Sequence, residues 1–328
     1  MIDIRLVVTG GLGFIGSNFI NYWLKKHPDD FILNVDKCTY AADFSNIDKK
    51  LASRNYEFVK EDICNEARMR SLTKGFDIIV NFAAESHVDN SINNASAFIK
   101  SNYYGVYSLL EASRINDVRM HQVSTDEVFG SLTNESEDSF NEHTCYDPKN
   151  PYSATKAAAD HLVRAYVNTY GLKATISNCS NNFGPNQHRE KLIPKTIFNA
   201  LNGKKIPIYG SGKNIRDWIF VDDHCSGIEA VLKKGRLGES YLISARNERT
   251  NIELVELILS RLGLGKDFIE YIEDRKGHDY RYSIDPSKIE SELHWKPAYD
   301  FDIALSLTID YYRKKVKSDL HHHRTGTL

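Results

Sequence analysis

The sequence predicts an α/β fold in which a doubly wound parallel sheet is interleaved with a smaller C-terminal domain. Three observations support this. In the first half of the chain, short apolar runs such as IRLVV, FILNV and DIIVNFAA alternate with helical patterns, as in βαβ units. Several runs lack polar and apolar alternation, as expected of strands buried on both faces. The glycine-rich stretch TGGLGFIG joins the first strand to the first helix, which indicates a Rossmann-type sheet.

The elements can be placed in order along the chain. Helices are predicted from about Phe14 to Lys26, from about Ala67 to Thr73, after Ser96 to about Asn116, and from about Tyr152 to Tyr170. Further strands are predicted at YEFV, MHQVST and KATISN, and the pattern becomes less regular near Asn181. We therefore expect a first domain over residues 1–180 that also uses about 219–246, a second domain over 181–318, and a disordered tail at 319–328.

Charge and cysteine content exclude several classes of protein. The chain has 42 lysine and arginine residues against 44 aspartate and glutamate residues, so no large basic surface for nucleic acid or anionic membranes is expected. The five cysteines include no CxxC pair, which argues against a zinc site or a disulfide framework and fits a reducing cytoplasm. No apolar stretch is as long as the about 18 residues that a membrane-spanning helix requires. We expect a cytoplasmic protein with no metal, nucleic-acid or membrane partner.

The glycine-rich stretch has the features of a dinucleotide-binding loop. Gly10, Gly13 and Gly16 lie between a strand and an amphipathic helix, where they permit a tight turn and close approach of the backbone to a pyrophosphate. Their GxxGxxG spacing is similar to that of the extended short-chain dehydrogenase/reductase superfamily. Asp36 ends the second strand about 20 residues after Gly16, where a carboxylate binds the adenosine ribose and repels a 2′-phosphate. These features predict NAD rather than NADP as cofactor.

Tyr152 and Lys156 lie four residues apart in NPYSATKAAAD and therefore on one face of a helix. The same YxxxK spacing occurs four more times in the chain, so the spacing alone has little weight. Only Tyr152 opens a helix shortly after the strand that ends at Thr125. Because a nearby ammonium and the positive nicotinamide ring of NAD both favour the phenolate, we expect them to lower the pKa of Tyr152 and make it a base near neutral pH.

Two adjacent carboxylates, Asp126 and Glu127, follow Thr125 in VSTDEVFG. Ligands of open α/β sheets bind outside the carboxyl ends of the strands, so these side chains are expected to point at a substrate. Adjacent acids in a cleft can have pKa values pushed apart, one remaining a general acid while the other is ionised as a base. An acid together with a base is what elimination of water requires. The alternative is a solvated turn with two ordinary loop carboxylates.

Seven stretches resemble the dTDP-glucose 4,6-dehydratase family, from Val7 to about Tyr312: AAESHVDNSI, TDEVFG, NPYSATKAAAD, CSNNFGPNQHREKLIP, YGSGKNIRDWIFVDDH, TNIELV and DRKGHDYRYSID. The resemblance implies that bound NAD oxidises C4 of the glucose unit, water leaves across C5 and C6, and the hydride returns to C6. Tyr152 would take the O4 proton, Lys156 would tune it, and Thr125 would bind O4. Asp126 would be the acid at the C6 hydroxyl and Glu127 the base at C5.

The resemblance also implies two sets of binding residues. The cofactor would be contacted by Gly10, Gly13, Phe14, Ile15, Gly16, Asp36, Lys37, Thr39, Asp62, Ile63, Ala83, Ala84, Ser86, Ser101, Tyr152, Lys156 and Asn182. The nucleotide sugar would be contacted by His87, Thr125, Asn181, Lys191, Leu192, Pro207, Tyr209, Arg216, Asn251, Asp274, Arg275 and His278. Arg216 is the first candidate for the diphosphate because a guanidinium binds phosphate oxygens bidentately. Its alternative is a salt bridge to Asp217 or another neighbour.

Some expectations from the resemblance concern partners and rival activities. A homodimer would form through the helix after Ser96 and the helix of Tyr152, and the product would be a precursor of a deoxysugar such as rhamnose. Asn90 stands where the thymidylyl-sugar enzymes usually have arginine, and is similar to the UDP-glucose 4,6-dehydratases, while Lys276 replaces a proline. Two rival functions stay open: a sugar-nucleotide 4-epimerase, which would not use Asp126 and Glu127, and a non-catalytic NAD-binding protein.

Overall fold

The first half of the chain folds into the predicted succession of strands and helices. The computed structural model describes residues 4–133, 138–275 and 277–325. The strands are β1 (Arg5–Thr9), β2 (Phe31–Asp36), β3 (Tyr56–Lys60), β4 (Ile78–Asn81), β5 (Arg119–Thr125), β6 (Ala174–Cys179), β7 (Asn181–Phe183), β8 (Ile206–Tyr209), β9 (Ile215–Phe220), β10 (Ser240–Ile243), β11 (Glu248–Thr250) and β12 (Ile269–Ile272). The helices are α1 (Phe14–Lys26), α2 (Glu66–Leu72), α3 (Val88–Asn93), α4 (Ala95–Phe98), α5 (Gly105–Asn116), α6 (Pro151–Tyr170), α7 (Leu192–Leu201), α8 (Val221–Lys234), α9 (Asn251–Leu262), α10 (Ser287–Leu293) and α11 (Phe301–Thr325).

A seven-stranded parallel sheet in the order β10-β6-β5-β4-β1-β2-β3 forms the centre of the fold. The chain builds β1 to β3 outward in one direction and then continues from β4 on the other side of β1. This change of direction leaves a crevice at the carboxyl ends of β1 and β4. The predicted doubly wound α/β fold is confirmed. β10 joins the same sheet beside β6, so the chain returns to the sheet after β7 to β9.

Helices cover both faces of this sheet. One face packs against α1 and α8 through buried Phe19, Trp23 and Ile228. The other packs against α2, α5 and α6 through Leu109 and Val163. Because each strand is buried on both sides, its sequence is a nearly continuous apolar run. The long helix predicted before Asn116 is interrupted, since a π-helical segment at 99–104 separates α4 from α5.

The second half of the chain adds two small sheets and a second core. β11, β9 and β7 form a three-stranded sheet, and β12 pairs with β8. α7, α9 and α11 pack around Phe183, Trp218 and Tyr312. The expected tail at 319–328 is helical as far as Thr325, and residues 326–328 lie outside the described part of the chain. Across the described residues, no helix combines the length and apolarity needed to cross a lipid bilayer.

A buried carboxylate joins α1 to α8. Glu229 is 5% exposed and is bonded by Tyr22 Oη (2.5 Å), Lys26 Nζ (2.6 Å), His27 Nε2 (2.9 Å) and Lys233 Nζ (2.8 Å). Burial acts to raise its pKa, but hydrogen bonds from these partners, Lys233 first, lower the pKa of Glu229 to about 2. The ionised form of Glu229 is therefore part of the folded structure at neutral pH.

Candidate active site

A cavity extends along the carboxyl ends of β1, β2, β4 and β5 to the segment that follows β6. Each residue that we expected to contact the cofactor lines it, from Gly10 in the first loop to Asn182 in β7. The five expected catalytic residues, Thr125, Asp126, Glu127, Tyr152 and Lys156, line it too, as do Asn181 and Lys191 from the expected substrate set. Residues far apart in the chain are thus brought to one crevice, where open α/β sheets bind their ligands.

The glycine loop is shaped for close approach of a ligand. Gly10 has φ +71°, and a Cβ there would lie 2.6 Å from the backbone N of Ala83. A Cβ on Gly16 would lie 2.4 Å from the carbonyl oxygen of Gly10. Gly13 precedes α1 and makes no side-chain cap, so the first N–H groups of α1 remain available at the cavity. This cradle suits an anionic pyrophosphate.

The end of β2 suits the adenosine ribose of a dinucleotide. Asp36 accepts hydrogen bonds from the backbone N of Leu12 (3.0 Å) and of Cys38 (2.8 Å), which fix its carboxylate at the cavity. Each oxygen keeps a lone pair for a ribose hydroxyl. Lys37 is ion-paired with Asp62 (2.7 Å), and this hydrogen bond raises the pKa of Lys37. The residues present therefore fit NAD.

The loop after β4 is held by buried amides. Asn81 Oδ1 accepts from Thr9 Oγ1 (2.6 Å) and from Ala83 N (3.1 Å). Asn102, in the π-helical segment, exchanges two hydrogen bonds with the backbone of Glu85, at 2.8 and 3.0 Å. The neighbouring Ser101 lines the cavity. These contacts fix the loop beside the glycine loop without relying on a ligand.

Asp126 is a buried acid at the end of β5. It is 2% exposed, its Oδ1 accepts from Thr125 Oγ1 (3.2 Å), and its Oδ2 has no hydrogen-bond partner among the residues described. Burial first and the neighbouring Glu127 second raise the pKa of Asp126 well above its usual value. Asp126 is therefore suited to remain protonated at neutral pH.

Glu127 lies in a different electrostatic environment. Burial raises the pKa of Glu127, but Lys191 and Arg216 act to lower it, followed by Arg275. No lysine is among the groups that act on Asp126 most strongly. The cations favour the ionised form of Glu127 over that of Asp126, so the two adjacent carboxyls are suited to opposite roles, an acid and a base. A solvated turn does not describe this pair.

Tyr152 and Lys156 lie on the face of α6 toward β5, where the groups of the protein itself disfavour the tyrosine phenolate. Burial first, and then the carboxyl of Glu127, raise the pKa of Tyr152 well above its usual value. The Lys156 ammonium donates to the carbonyl oxygen of Val123 (2.7 Å), and burial lowers its own pKa. The predicted lowering of the Tyr152 pKa by Lys156 is outweighed because the phenol is buried next to carboxylates.

Arg216 is held by backbone carbonyls rather than by a carboxylate. Its guanidinium donates to the carbonyl oxygens of Ile215 (2.7 Å) and Asp279 (2.9 Å) and lies 4.3 Å from the ring centre of Tyr282. The alternative salt bridge to Asp217 does not form. The Asp217 carboxylate instead accepts from Ser244 Oγ and from Asn247 N (2.9 Å). The charge of Arg216 thus remains available beside Glu127.

The remaining expected substrate residues lie beyond the lining of the cavity. Tyr209 Oη donates to Asp89 (3.2 Å), Arg275 pairs with the same carboxylate (3.4 Å), and His278 Nδ1 bonds Asp274 (2.6 Å). The other expected substrate residues that do not line the cavity are His87, Leu192, Pro207 and Asn251. Lys276, which replaces the usual proline, lies outside the described residues.

Several lining residues were not predicted from the sequence. Glu190 accepts from Tyr40 Oη (3.3 Å) and lies 3.4 Å from His188 Nδ1, while Lys191 Nζ donates to the carbonyl oxygen of Ser86 (3.0 Å). These contacts join the segment before α7 to the cofactor side of the cavity. The stretch HREK, which contains His188, Glu190 and Lys191, lies within the family-like segment CSNNFGPNQHREKLIP and could have drawn attention to Glu190. The contacts of these residues, however, depend on tertiary structure. Cys179, Ser180 and Gln187 also line the cavity.

A second, apolar groove lies on the outer side of α6. It is lined by Ala95, Ile99, Tyr103, Pro151, Ala154, Thr155, Ala158, His161, Leu162 and Ala165. Ile99 is 54% exposed and Tyr103 is 40% exposed, so this is a sizeable apolar surface in contact with solvent.

Comparison with known proteins relates the chain to nucleotide-sugar enzymes. The family model for GDP-mannose 4,6-dehydratase matches residues 7–308. A dTDP-glucose 4,6-dehydratase of Mycobacterium tuberculosis is 47% identical over 94% of this chain and 93% of its own length. The structure of DesIV, the dTDP-glucose 4,6-dehydratase of Streptomyces venezuelae, with NAD bound, is 44% identical with a TM-score of 0.92, covering 95% of this chain and 97% of DesIV. A UDP-glucose 4-epimerase from Thermotoga maritima is 25% identical with a TM-score of 0.87, covering 95% of this chain and all of its own.

Proposed function

The chain belongs to the GDP-mannose 4,6-dehydratase family and, within it, to the dTDP-glucose 4,6-dehydratases, and from this premise we propose that it converts dTDP-glucose to dTDP-4-keto-6-deoxyglucose and water. The observation that carries the proposal is that two adjacent carboxyls, Asp126 with a pKa raised first by burial and Glu127 beside cations that act to lower its pKa, lie with Tyr152 in one cavity. The residues that line the glycine loop and the end of β2 would hold NAD, which would supply a hydride acceptor for C4 and a hydride donor for C6, so that the reaction has no net redox change.

In the proposed reaction, the proton transfers are carried out by Tyr152, Glu127 and Asp126. Tyr152 accepts the proton of the C4 hydroxyl, and Thr125, which counteracts part of the rise in the Tyr152 pKa, orients this oxygen. The resulting ketone at C4 acidifies the C5 proton, which Glu127 removes. Asp126 donates its proton to the departing C6 hydroxyl, so water leaves, and Glu127 returns a proton to C5. Tyr152 ends with one proton more and Asp126 with one fewer.

Thr125 connects the two groups that must exchange this proton. Its hydroxyl donates to Asp126 Oδ1 (3.2 Å) and also acts on Tyr152. Transfer of one proton from Tyr152 to Asp126 would restore the starting state. A 4-epimerase has no such need, because its substrate loses no water; the buried acid at Asp126 therefore supports the dehydratase over the epimerase.

Lys191, Arg216 and Arg275 provide the positive charge for the nucleoside diphosphate. All three act to lower the pKa of Glu127, which supports a positive environment for a diphosphate beside this carboxyl, although only Lys191 lines the cavity itself. Arg216 keeps one face on Tyr282 while its position is fixed by carbonyls, which favours bidentate binding of a phosphate. Tyr209, Asp274, His278 and Asn251 complete the nucleotide side of this proposal.

The enzyme acts as a homodimer. The proposal is supported by the apolar groove on α6, which exposes Ile99 and Tyr103 and is also lined by Ala154 and Ala158, because a twofold axis could bury such a surface against a second copy of the chain. The compartment is the cytoplasm, because all five cysteines are free and Cys145 is exposed. The product supplies a deoxysugar such as rhamnose.

The proposed activity is tested by incubating the purified protein with dTDP-glucose and, in parallel, with UDP-glucose, with no added reductant. We expect mass spectrometry to detect loss of one water from dTDP-glucose and alkali to produce the absorbance of a 4-keto sugar, with no net reduced NAD. Reaction of UDP-glucose alone would leave the chemistry in place and make Asn90 responsible for base choice. Epimerisation at C4 without water loss would refute the roles of Asp126 and Glu127.

A further inference from the structure

Asp160 is a buried carboxylate that the proposed proton transfers do not use. It is fully buried on α6, four residues after Lys156 and eight after Tyr152, and therefore on the same face of the helix. Arg164 follows four residues later. A row of tyrosine, lysine, aspartate and arginine thus runs along the side of α6 that faces the sheet.

Three hydrogen bonds converge on one oxygen of this carboxylate. Asp160 Oδ2 accepts from Ser124 Oγ (2.7 Å), Tyr146 Oη (3.0 Å) and Asn178 Nδ2 (3.2 Å). Tyr146 Oη accepts from Arg164 Nη2 (2.8 Å), so its own hydrogen is directed at Asp160. Oδ1 has no partner in the described part of the chain, so a proton there would find no acceptor. The geometry fits an ionised carboxylate.

These partners connect α6 to the strand end that carries the reacting groups. Ser124 directly precedes Thr125, and Asn178 Nδ2 also donates to the carbonyl oxygen of Thr125 (3.0 Å). Asp160 therefore joins the end of β5, where Thr125 and Asp126 lie, to the helix that carries Tyr152. A small shift between these two elements would separate Tyr152 from Thr125.

Asp160 also supplies the charge that a buried ammonium needs. Lys156 is 4% exposed and bonds a neutral carbonyl of β5. Burial lowers the pKa of Lys156, whereas Asp160 first and Cys179 of β6 second act to raise it. Burial raises the pKa of Asp160 itself, and Lys156 opposes this rise. The two side chains make no direct ion pair, so Asp160 acts on the buried ammonium across one turn of α6, and each charge lessens the cost of burying the other.

We propose that Asp160 is a positioning residue of the dehydratase reaction, which fixes the end of β5 against α6 through Ser124 and compensates the charge of Lys156 one helical turn away. The inference rests on the proposed function for its kinetic test. Its chemistry is that of a buried counter-ion: it touches neither substrate nor cofactor, and acts on Tyr152 through Lys156 and Thr125.

The test uses Asp160→Asn in the full-length, NAD-loaded protein, with Asp223→Asn as matched control. Asp223 is 2% exposed and accepts from the backbone N of Ala298 (2.7 Å) and Tyr299 (3.2 Å), away from the cavity lining. We expect Asp160→Asn to reduce kcat about tenfold at neutral pH with KM unchanged, and to move the basic limb of the kcat profile about one pH unit lower. Asp223→Asn keeps the wild-type pH profile even if its Tm falls.

Two further measurements keep the outcome interpretable. Tyr146→Phe removes one hydrogen-bond donor to Asp160 without changing the charge. It is expected to move the basic limb of the kcat profile in the same direction as Asp160→Asn, but by a smaller amount. This variant replaces Asp160→Asn in the test if Asp160→Asn does not fold. The titration of the Lys156 ammonium can be followed by heteronuclear NMR, with its signal assigned by comparison with Lys156→Met. This measurement reports on the interaction between Lys156 and Asp160 in the absence of turnover. A wild type that releases no water overturns the proposed function alone. An unchanged Lys156 titration in Asp160→Asn overturns the role of Asp160.

Discussion

Replacement of Asp126 by asparagine separates the two halves of the proposed reaction. The amide has the size of the carboxyl and the site is 2% exposed, so packing is preserved and the change is loss of one transferable proton. General acid catalysis contributes about 10² to 10⁴ in rate. Since each tenfold is about 1.36 kcal/mol, the barrier to water loss should rise by about 2.7 to 5.4 kcal/mol.

The assay follows both steps in a single turnover. We expect Asp126→Asn to oxidise C4 at a rate close to wild type, seen as the near-ultraviolet absorbance of reduced nicotinamide, and then to stall, with water loss slowed by that factor. Glu127→Gln, the control for the neighbouring carboxyl, should stall at the same stage and in addition lose exchange of the C5 proton with deuterated solvent. Water loss by Asp126→Asn within about threefold of wild type would refute the assignment of the acid.

Three other changes test the cradle, the groove and the buried carboxylate on α8. Gly16→Ala, whose Cβ would lie 2.4 Å from a carbonyl oxygen, should weaken NAD binding at least about tenfold, or about 1.4 kcal/mol, in a titration of the apoprotein. The control Gly13→Ala, whose Cβ would have its nearest contact at 3.3 Å, should retain more affinity for NAD. Equal losses of affinity in the two variants would contradict the geometry. If the proposed dimer forms through the groove, Ala154→Arg should convert it to a monomer in light scattering, while Leu237→Arg, at a position that is 51% exposed outside the groove, should not. A dimeric Ala154→Arg variant would exclude this interface. Glu229→Gln should lower the free energy of unfolding by about 2 kcal/mol at neutral pH. Because the folded pKa of Glu229 is depressed to about 2, this difference should be full above about pH 5 and vanish as pH falls toward 2; a difference independent of pH in thermal melts would refute it.

Local sequence was sufficient for the parts of the site that one element carries. Gly16 requires only a strand, a turn and a helix in succession, and each of these is visible in TGGLGFIG. Asp126 follows a strand whose apolar character identifies its end, so its position at the crevice could be predicted from the fold class. The predicted cofactor residues were all on such elements, which explains why they share one cavity.

Contacts between distant segments could not be predicted in this way. The pKa of Tyr152 depends on its burial and on the distance to Glu127, neither of which a YxxxK spacing specifies. Asp160 was part of a recognised stretch, but its role depends on Ser124 and Asn178, which come from two other strands. The interruption of the helix before α5 likewise lies where a long-range contact forms, since the amide of Asn102 donates to the backbone of the loop after β4.

The raised pKa of Tyr152 has a consequence for the order of events. In the protein alone, burial and the carboxyls of Glu127 and Asp126 all disfavour the phenolate, so Tyr152 is a poor base at neutral pH. The oxidised nicotinamide ring carries a positive charge, and a charge of this sign beside Tyr152 favours the phenolate. With the oxidised ring bound, Tyr152 would be a stronger base than after hydride transfer, and that transfer would favour retention of the proton on Tyr152. In the proposed reaction, Glu127 and Asp126 would then complete the loss of water, so that the electrostatics of one cavity would separate oxidation from elimination in time.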